Sequence, residues 1–432
     1  MPHYHIWTIG CQMNKAESER LASLFEQRGY LPTTTPQKAD IILLNSCVVR
    51  QSAENRVINR IAILKTLKKQ RPELILVVTG CLVDSDTEHL KKKFPYVDHF
   101  FKAGGFPPWL AQIERPALPH HPSPAVYVPI MQGCNNFCSY CIVPYRRGRE
   151  ISRPLDEIST EVTELVKSGA REVTLLGQNV DSYGHNLPDL FRAKSRNQPD
   201  LADLLKELNS IDGLSRIRFL TNHPKDMSKK LINAVATLDN VCEQLSLPVQ
   251  SGNNEILKLM KRGYTIEHYR RLINEIRDKI SGVAISTDII VGFPGETNEQ
   301  FEDTVNLLSD LKFDMVHVAA YSPRPGTTAA RELEDNVSAA EKKRRLDTIE
   351  RLQESIVSEI NAKLLNKTVE VLVEGRKEGK WFGRTRTDKL VFFPCDNICP
   401  AQLVNIKIEK TSPWALQGKV KSDKTSLTNS EH

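Results

Sequence analysis

Three cysteines in the centre of the chain have the spacing of iron–sulfur ligands. Cys134, Cys138 and Cys141 are separated by three residues and then two, on a loop that follows the strand-like run 126–130. This spacing lets three thiolates converge on one face of a cubic cluster and leaves the fourth iron without a protein ligand, free to bind a small molecule. The alternative is a zinc site or a disulfide loop. Zinc sites usually take four protein ligands in two pairs, and we find no second pair at suitable spacing nearby.

Three further cysteines, Cys11, Cys47 and Cys81, each end a short apolar run that is typical of a buried strand. Helical patterns lie between these runs, and strands that alternate with helices predict a parallel sheet, whose ligands gather beyond the carboxyl ends of the strands. Neighbouring strands are about 4.8 Å apart, so thiols 36 and 34 positions apart in the sequence can meet around one cluster. The alternative is three buried core cysteines, which are common in sheets.

The elements that must position the central cysteines follow a proline-rich stretch, which we interpret as a linker. Beyond it, strand-like runs alternate with amphipathic helices, and the cysteine loop follows the first run. This alternation predicts a partial barrel of six βα units, with its chemistry at the carboxyl ends of the strands. The six runs begin near Val126, Val173, Ile217, Leu245, Ala284 and Val316.

The last part of the chain changes to alternating β patterns, at 369–373, 391–393 and 403–408. Alternation with short turns predicts a small antiparallel barrel. This region is basic, because thirteen Lys or Arg and eight Asp or Glu lie between residue 361 and the end, against a net charge of +6 for the chain. Charged and aromatic residues that suit phosphate pairing and base stacking are Lys377, Lys380, Trp381, Phe382, Arg384 and Arg386.

Composition is that of an ordinary globular enzyme. Of the 432 residues, 40% are apolar and 26% charged, and no run reaches the roughly 18 apolar residues that a membrane helix needs. The first residues lack the pattern of a signal peptide, so we expect a cytoplasmic protein without membrane contact. Nine cysteines in such a setting are more typical of metal ligands or core residues than of disulfides; we interpret Cys242, Cys395 and Cys399 as structural.

The central spacing, with Tyr140 just before the last cysteine, resembles the signature of the radical S-adenosylmethionine superfamily. The segments 8–14, 45–50 and 79–81 resemble the three ligand segments of the methylthiotransferase family, which carries a second 4Fe-4S cluster on such cysteines. The C-terminal region resembles the TRAM domain, an RNA-binding fold. The resemblance therefore implies three domains: a methylthiotransferase N-terminal domain with a parallel α/β sheet, a radical barrel and a TRAM barrel, at 1–118, 119–350 and 360–425.

The resemblance also implies a set of contacts to S-adenosylmethionine at the carboxyl ends of the strands. Glycines let the backbone approach a ligand, and an acidic residue can accept hydrogen bonds from ribose hydroxyls. The predicted contacts are Tyr140, Gly177, Gln178, Ser286, Asp288 and Gly292. Arg146, Arg147 and Arg149 either grip phosphate or the carboxylate of S-adenosylmethionine, or form a solvated basic turn.

Several motifs are similar to the tRNA-modifying members of the family, among them 131–134, 176–180 and 247–252, and His223-Pro224 in particular. The implied reaction is methylthiolation of carbon 2 of N6-isopentenyladenosine at position 37 of tRNA. In the family, one S-adenosylmethionine methylates a sulfur on the second cluster, and another is cleaved at the radical cluster to remove the hydrogen. The implied partners are the tRNA anticodon arm, an electron donor and a sulfur or cluster donor, with the enzyme as a monomer.

Two other functions remain open at this point. One is a different substrate within the family, either threonylcarbamoyladenosine in tRNA or an aspartate of a ribosomal protein. The other is of a different class, an RNA-binding iron–sulfur sensor without turnover.

Overall fold

The computed structural model describes residues 1–49, 51–83, 87–105, 109–110, 118–119, 122–187, 198–396 and 398–421. Within these ranges the chain forms an N-terminal sheet, a central barrel and a small C-terminal barrel. The predicted end of the third domain at residue 425 and part of the proline-rich linker, at 107–129, lie outside the described residues. The domain boundaries therefore stay predictions.

The N-terminal sheet has five parallel strands in the order β2-β1-β3-β4-β5. The strands are β1 (His3–Ile9), β2 (Leu31–Pro32), β3 (Ile41–Ser46), β4 (Ile75–Gly80) and β5 (His99–Lys102). The helices between them are α1 (Gln12–Gln27), α2 (Gln51–Gln70) and α3 (Glu88–Lys93). The predicted parallel sheet is confirmed.

Three of these strands end level with one another. Ile9 at the end of β1 is paired with Ser46 at the end of β3, and Ser46 is paired with Gly80 at the end of β4. Because Cys47 and Cys81 directly follow their strands and α1 begins directly after Cys11, the register brings all three cysteines to one edge of the sheet.

The central domain contains two three-stranded parallel sheets, β6-β9-β10 and β11-β12-β13, joined by a bridge between Ile217 and Val241. Their strands are β6 (Ala125–Pro129), β9 (Glu172–Leu176), β10 (Arg216–Phe219), β11 (Gln244–Ser246), β12 (Ala284–Val291) and β13 (Met315–Ala320). A short antiparallel pair, β7 (Met131–Gln132) and β8 (Ile151–Ser152), flanks the cysteine loop. The predicted partial six-stranded barrel is confirmed.

Helices cover the outside of this barrel. They are α4 (Val143–Arg147), α5 (Leu155–Lys167), α6 (Leu201–Asn209), α7 (Lys229–Thr237), α8 (Asn254–Leu259), α9 (Ile266–Lys279), α10 (Asn298–Leu311), α11 (Thr328–Glu332) and α12 (Ala339–Ala362). Several begin at a residue whose side chain accepts an amide hydrogen bond of the first turn, as Thr297 does for α10 and Ser228 for α7. Such caps satisfy amides that the helix itself leaves unpaired.

The C-terminal domain is a closed five-stranded barrel in the order β14-β15-β16-β18-β17. Its strands are β14 (Thr368–Lys377), β15 (Lys380–Thr385), β16 (Leu390–Phe393), β17 (Leu403–Thr411) and β18 (Leu416–Val420). The sequence predicts an antiparallel barrel, and four of the five pairings are antiparallel, but β16 and β18 pair in parallel to close it. Closure removes exposed sheet edges.

Buried arginines join the C-terminal barrel to the central barrel through hydrogen bonds and ion pairs. Arg218 donates to Glu172 at 2.8 Å and to the carbonyls of Arg386 and Thr385, each at 2.6 Å. Arg386 returns the contact, donating to Glu243 at 2.8 Å. Glu172 and Glu243 lie at the amino-terminal ends of β9 and β11, so the C-terminal barrel docks at the opposite end from the cysteine loop.

No helix among the described residues is both long and apolar enough to cross a membrane.

Replacing Arg218 by Met is expected to lower the free energy of unfolding by about 3–5 kcal/mol, because it leaves the buried carboxylate of Glu172 without its closest partner. Urea unfolding of the full chain measures this change. Arg270→Met is the matched control, since Arg270 pairs with Asp310 on the exposed surface and such pairs contribute about 0–1 kcal/mol. Equal effects of the two substitutions would contradict the stabilising role of the buried Arg218–Glu172 pair.

Candidate active site

The central cysteine loop is held by the ends of neighbouring strands. Gly133, the residue before Cys134, has φ +82°, and a Cβ there would lie 2.0 Å from the carbonyl oxygen of Arg149, so only glycine fits. Its amide donates to Oε1 of Gln178 at 2.5 Å. Glu150, which is buried, accepts from the amide of Asn135 at 3.0 Å. The loop conformation is therefore fixed from both sides.

A buried arginine contacts one of the loop thiols. Arg262 is 4% exposed and donates from Nη1 to Sγ of Cys138 at 3.3 Å, from Nη2 to the carbonyl of Pro248 at 2.7 Å and from Nε to the hydroxyl of Tyr264 at 3.1 Å. Its guanidinium also lies 3.5 Å from the hydroxyl of Tyr140. The sequence analysis missed Arg262, because nothing in its sequence neighbourhood links it to the cysteine loop.

Two thiols of this loop, those of Cys134 and Cys141, are held neutral by their surroundings. Burial raises the pKa of Cys134 to about 11, and burial together with the neighbouring Cys138 and Cys134 raises the pKa of Cys141 to about 12. A metal centre binds thiolates, so its binding must displace these protons. Three neighbouring thiols, one of them buried and two partly exposed, with one guanidinium donor are a donor set that suits an iron–sulfur cluster.

The N-terminal thiols are also brought together. Burial, together with the neighbouring Cys81 and Cys11, raises the pKa of Cys47 to about 11. Burial is the main cause of the raised pKa of Cys81 as well, opposed by Arg147. The Nε of Arg147 donates to Sγ of Cys81 at 3.3 Å. This triplet thus has the same composition as the first: clustered thiols and one buried guanidinium.

Among the residues that the structure describes, no group of three or more His, Cys, Asp or Glu side chains is arranged to hold a single metal ion. The thiolate ligands of a cubic cluster bind different irons and not one shared ion.

A cavity of about 450 Å³ lies beside the central cysteine loop and reaches the N-terminal domain. Its wall includes Tyr140 and Cys141 from that loop, and Val49, two residues after Cys47, from the N-terminal domain. The volume falls within the range of small-molecule sites. The cavity therefore connects one thiol of the central triplet to the segment that follows Cys47.

Arg324 fixes the N-terminal side of this cavity. It is buried and crosses from the barrel to the N-terminal domain, where Nη1 donates to Oε1 of Gln51 at 2.7 Å and Nη2 donates to the carbonyl of Val48 and to Glu54. Val48 is the residue next to Cys47, so this single side chain sets the position of that loop relative to the barrel. Sequence reasoning did not identify it.

The predicted contacts to S-adenosylmethionine fall into two groups. Asp288 and Tyr140 line the cavity, and Ser286 lies on the same face of β12 as Asp288, since their burial alternates with that of the residues between them. Gln178 instead anchors Gly133. A Cβ at Gly177 would lie 2.5 Å from the side chain of Met131.

Gly292 likewise has an internal packing role. It has φ +67°, and a Cβ there would lie 2.4 Å from the side chain of Lys342. The amide of Gly292 donates to Glu296 at 2.6 Å. The small residues at positions 177 and 292 thus make room for neighbouring side chains.

The segment after β10 carries a buried polar network. Asp181 accepts from the amide of His223 at 2.8 Å and from the side chain of Asn222. Nδ1 of His223 accepts from the amide of Lys225 at 3.2 Å, which places the imidazole proton on Nε2. Burial, with Arg262 and Lys225, lowers the pKa of His223 to about 2, so the ring is a neutral hydrogen-bond donor.

Several buried polar atoms without a hydrogen-bond partner lie at these strand ends. In the described part of the chain they include Oδ1 of Asn179, Oδ1 of Asn222, Nε2 of His223 and Oε1 of Gln250. Gln250 also has φ +76°, and Thr221, just before Asn222, has φ +72°. Strained backbone and unpaired polar atoms together are typical of ligand sites, so these residues fit a polar ligand.

Three family models match the chain. The Radical SAM superfamily model matches residues 128–308, the model described as uncharacterized protein family UPF0004 matches residues 3–102, and the TRAM domain model matches residues 362–421.

Curated relatives match over nearly the full length. A protein of Dehalococcoides mccartyi named tRNA-2-methylthio-N(6)-dimethylallyladenosine synthase is 54% identical over 420 residues, covering 97% of this chain and 99% of its own. A protein of the same name from Roseiflexus sp. is 48% identical and covers 98% of this chain and 90% of its own. Among solved structures, a radical S-adenosylmethionine methyltransferase from Kitasatospora setae, with cobalamin and a 4Fe-4S cluster bound, shares the fold at a TM-score of 0.54 and 14% identity, covering 76% of this chain and 74% of its own.

The buried carboxyl of Asp181 is expected to make the free energy of unfolding decrease as the pH rises. Burial raises the pKa of this carboxyl from 3.8 to about 7, and nearby Asp226 adds to the rise, against the hydrogen bonds from His223 and Asn222. Between about pH 4 and pH 7 the folded chain therefore holds a proton that the unfolded chain has lost, and stability decreases by up to about 4 kcal/mol over that range.

Asp181→Asn removes this dependence, and a flip of the Asn222 amide can supply an acceptor to the new NH₂ group. Urea unfolding at pH 5.5, 6.5 and 7.5 should show the variant gaining stability relative to the unmodified chain as pH rises. Asp212→Asn, at an exposed position, is the control and should give a constant difference. A constant difference for Asp181→Asn as well would count against the buried titration.

Proposed function

The chain belongs to the family of tRNA-2-methylthio-N(6)-dimethylallyladenosine synthases, and we propose how its residues carry out the reaction that this name describes. It is a radical S-adenosylmethionine enzyme that methylthiolates carbon 2 of N6-isopentenyladenosine at position 37 of tRNA. Its family uses a 4Fe-4S cluster and S-adenosylmethionine. The observation that carries the proposal is the cavity whose wall includes Cys141 of the central triplet and Val49, two residues after Cys47 of the N-terminal triplet.

We propose that Cys134, Cys138 and Cys141 hold the radical cluster. Clusters bound at the two sites would supply the electron that cleaves S-adenosylmethionine and the sulfur that is transferred. The chain's part at the first site is to fix the loop, through Gln178 and Glu150, and to place the Arg262 guanidinium against Cys138. A fixed loop keeps the open coordination position pointed at one place, which is the positioning effect that radical transfer needs.

We propose a second 4Fe-4S cluster on Cys11, Cys47 and Cys81. Supporting this assignment are the level strand ends, the effect of Cys81 and Cys11 on the pKa of Cys47 and the Arg147 contact to Cys81. The carbon–hydrogen bond at carbon 2 of adenine is unactivated, so acid–base chemistry of side chains has no route to it. Two separate thiol sites, one at the cavity through Cys141 and the other two residues from its Val49 wall, fit a reaction that needs both hydrogen removal and sulfur delivery.

S-Adenosylmethionine is proposed to contact Tyr140, Ser286 and Asp288. Tyr140 lies beside Cys141, and Asp288 faces the cavity from β12, so both are within the same space as the radical loop. Asp288 has the acceptor oxygens that ribose hydroxyls need. Gly177, Gln178 and Gly292 support this site through packing and hydrogen bonds.

The tRNA partner is proposed to bind with its anticodon arm across the C-terminal barrel. Four of the predicted RNA-contacting cations of that barrel divide into two groups. Arg384 pairs with Asp388, and Arg386 with Glu243 of the central domain, so both make ion pairs within the protein. Lys377 and Lys380, at the exposed β14–β15 turn, are proposed to contact phosphates. An electron donor, a sulfur or cluster donor and a monomeric state stay predictions.

Separate roles for the two triplets are expected to appear in two single variants. Cys138→Ala should abolish cleavage of S-adenosylmethionine to 5′-deoxyadenosine, because it removes a radical-cluster ligand. Cys47→Ala should retain cleavage but lose methylthio transfer. Chromatography of 5′-deoxyadenosine and mass spectrometry of nucleosides from isopentenylated tRNA, run anaerobically with reductant, measure the two activities.

Cys399→Ser, at an exposed position, is the control and should keep both activities. The unmodified chain should bind about eight irons, as two four-iron clusters require, and each ligand variant about four. Loss of both activities in a folded Cys47→Ala chain with an intact radical cluster would rule out separate roles. Methylthiolation of threonylcarbamoylated but not isopentenylated tRNA would overturn the assignment of isopentenyladenosine as the substrate.

The Lys377→Ala/Lys380→Ala pair is expected to weaken tRNA binding and to flatten its salt dependence. Each lost phosphate contact should reduce the slope of log K against log salt by about 0.7–0.9, so the double variant should lose up to about 1.8. Binding to isopentenylated tRNA at several salt concentrations measures the slope. Lys343→Ala, which changes an exposed lysine of α12 paired with Asp347, is the control. Equal slopes in the unmodified chain, the double variant and the control would indicate that RNA binds to another surface.

A further inference from the structure

Arg147 links the radical loop to the other cysteine triplet. It is the last residue of α4, which begins two residues after Cys141. Its side chain is 3% exposed and leaves its own domain to donate from Nε to Sγ of Cys81 at 3.3 Å. Nη1 and Nη2 donate to the two carboxylate oxygens of Glu17 at 2.7 Å and 3.5 Å.

The partner of Arg147 belongs to the same site. Glu17 lies in the second turn of α1, the helix that begins directly after Cys11. One guanidinium therefore contacts the strand end that carries Cys81 and the helix that follows Cys11. Because five donors of a guanidinium lie in one rigid plane, these two contacts set the orientation of the Cys81 sulfur relative to α1.

This arrangement excludes the two roles that the sequence offers for Arg147. A residue buried in the protein and paired with Glu17 is not a solvated basic turn. Its Nε and both terminal nitrogens already donate to a thiol and a carboxylate, so its geometry does not suit a grip on phosphate or on the carboxylate of S-adenosylmethionine. Arg149 behaves differently, lying over the ring of Phe137 at 4.3 Å.

A hydrogen bond and a positive charge at a ligand sulfur have a defined electrostatic effect. Reduction adds an electron to a cluster, and both features stabilise the more negative form, so the reduction potential rises. A carboxylate at the same distance has the opposite effect. Arg147 and Glu17 thus act on a bound cluster with opposite signs, although they form one ion pair.

We propose that Arg147 is a positioning residue that orients Cys81 and raises the reduction potential of a cluster held by Cys11, Cys47 and Cys81, while Glu17 limits that rise. This inference rests on the second cluster of the proposed function. It adds a tuning role to residues that bind neither substrate nor cofactor.

The test uses the full chain with Cys134, Cys138 and Cys141 all replaced by Ala, so that only the second site can hold a cluster. After anaerobic reconstitution, iron content is measured, and the reduction potential is followed by electron paramagnetic resonance during potentiometric titration. In this background, Arg147→Gln should make reduction about tenfold less favourable, a shift of about 59 mV to lower potential for a one-electron couple. Glu17→Gln should shift the potential upward.

Arg20→Gln is the matched control. Arg20 also lies on α1 and makes a buried ion pair across the same domain boundary, to Glu161 at 2.7 Å, but it contacts no thiol. Its removal should leave the potential unchanged. A residue with only a structural role would not give opposite shifts for Arg147→Gln and Glu17→Gln.

The outcomes separate the two proposals. A triple-alanine chain that folds but binds no iron overturns the second cluster of the proposed function. A chain that binds about four irons with a potential that neither Arg147→Gln nor Glu17→Gln changes overturns the tuning role alone. If Arg147→Gln does not retain its cluster, Arg147→Lys and Glu17→Gln carry the test, and an unchanged or lower potential in Glu17→Gln overturns the inference.

Discussion

The site depends on one constraint: the carboxyl ends of two parallel sheets from different domains must meet at one cavity. Within each sheet, register alone aligns the strand ends, as the pairing of Ile9 with Ser46 and of Ser46 with Gly80 illustrates. Between the sheets there is no shared register. Arg147 and Arg324 supply the alignment, since both extend from the barrel into the N-terminal domain and contact residues at or next to its cysteines. Burying a guanidinium is costly unless its donors are satisfied, so the contacts of Arg147 to Cys81 and Glu17 tolerate little displacement, whereas Nε of Arg324 has no partner among the described residues.

Buried arginines also contact a neighbouring domain at the other end of the barrel, where they attach the C-terminal barrel. Arg216 and Arg218 donate to backbone carbonyls of the C-terminal barrel, and Arg386 donates back to Glu243. Carbonyl acceptors are present whatever the side chain, so this interface depends on backbone shape in the small barrel. Because the C-terminal barrel docks at the amino-terminal ends of the strands, it leaves their carboxyl ends to the cavity.

Patterns confined to short stretches of sequence predicted most of the fold. The six barrel strands, the apolar faces of α1 and α2 and the cysteines at strand ends follow from periodicity and spacing, which are local. The contacts of Arg147 and Arg262 do not, because three arginines within 146–149 look alike in sequence and only tertiary packing decides which one is buried. The glycines illustrate the same limit: at Gly177 the sequence indicates a need for a small residue, but the space is taken by Met131. The parallel pairing of β16 with β18 is likewise set by barrel closure.

The distribution of unpaired polar atoms shows where the fold is incomplete by itself. Within the described residues, Asn179, Asn222, His223 and Gln250 each keep one buried polar atom without a partner at the carboxyl ends of successive strands, and Thr221 and Gln250 hold strained backbone there. Each unpaired group costs about 1–3 kcal/mol. The amino-terminal ends of these strands also keep unpaired atoms, on Arg216, Glu172 and Gln244, and the first two of these side chains make other ion pairs. A ligand that pairs with the four atoms at the carboxyl ends would recover that energy on binding, and would stabilise the folded chain by an amount that grows with the logarithm of its concentration divided by its dissociation constant.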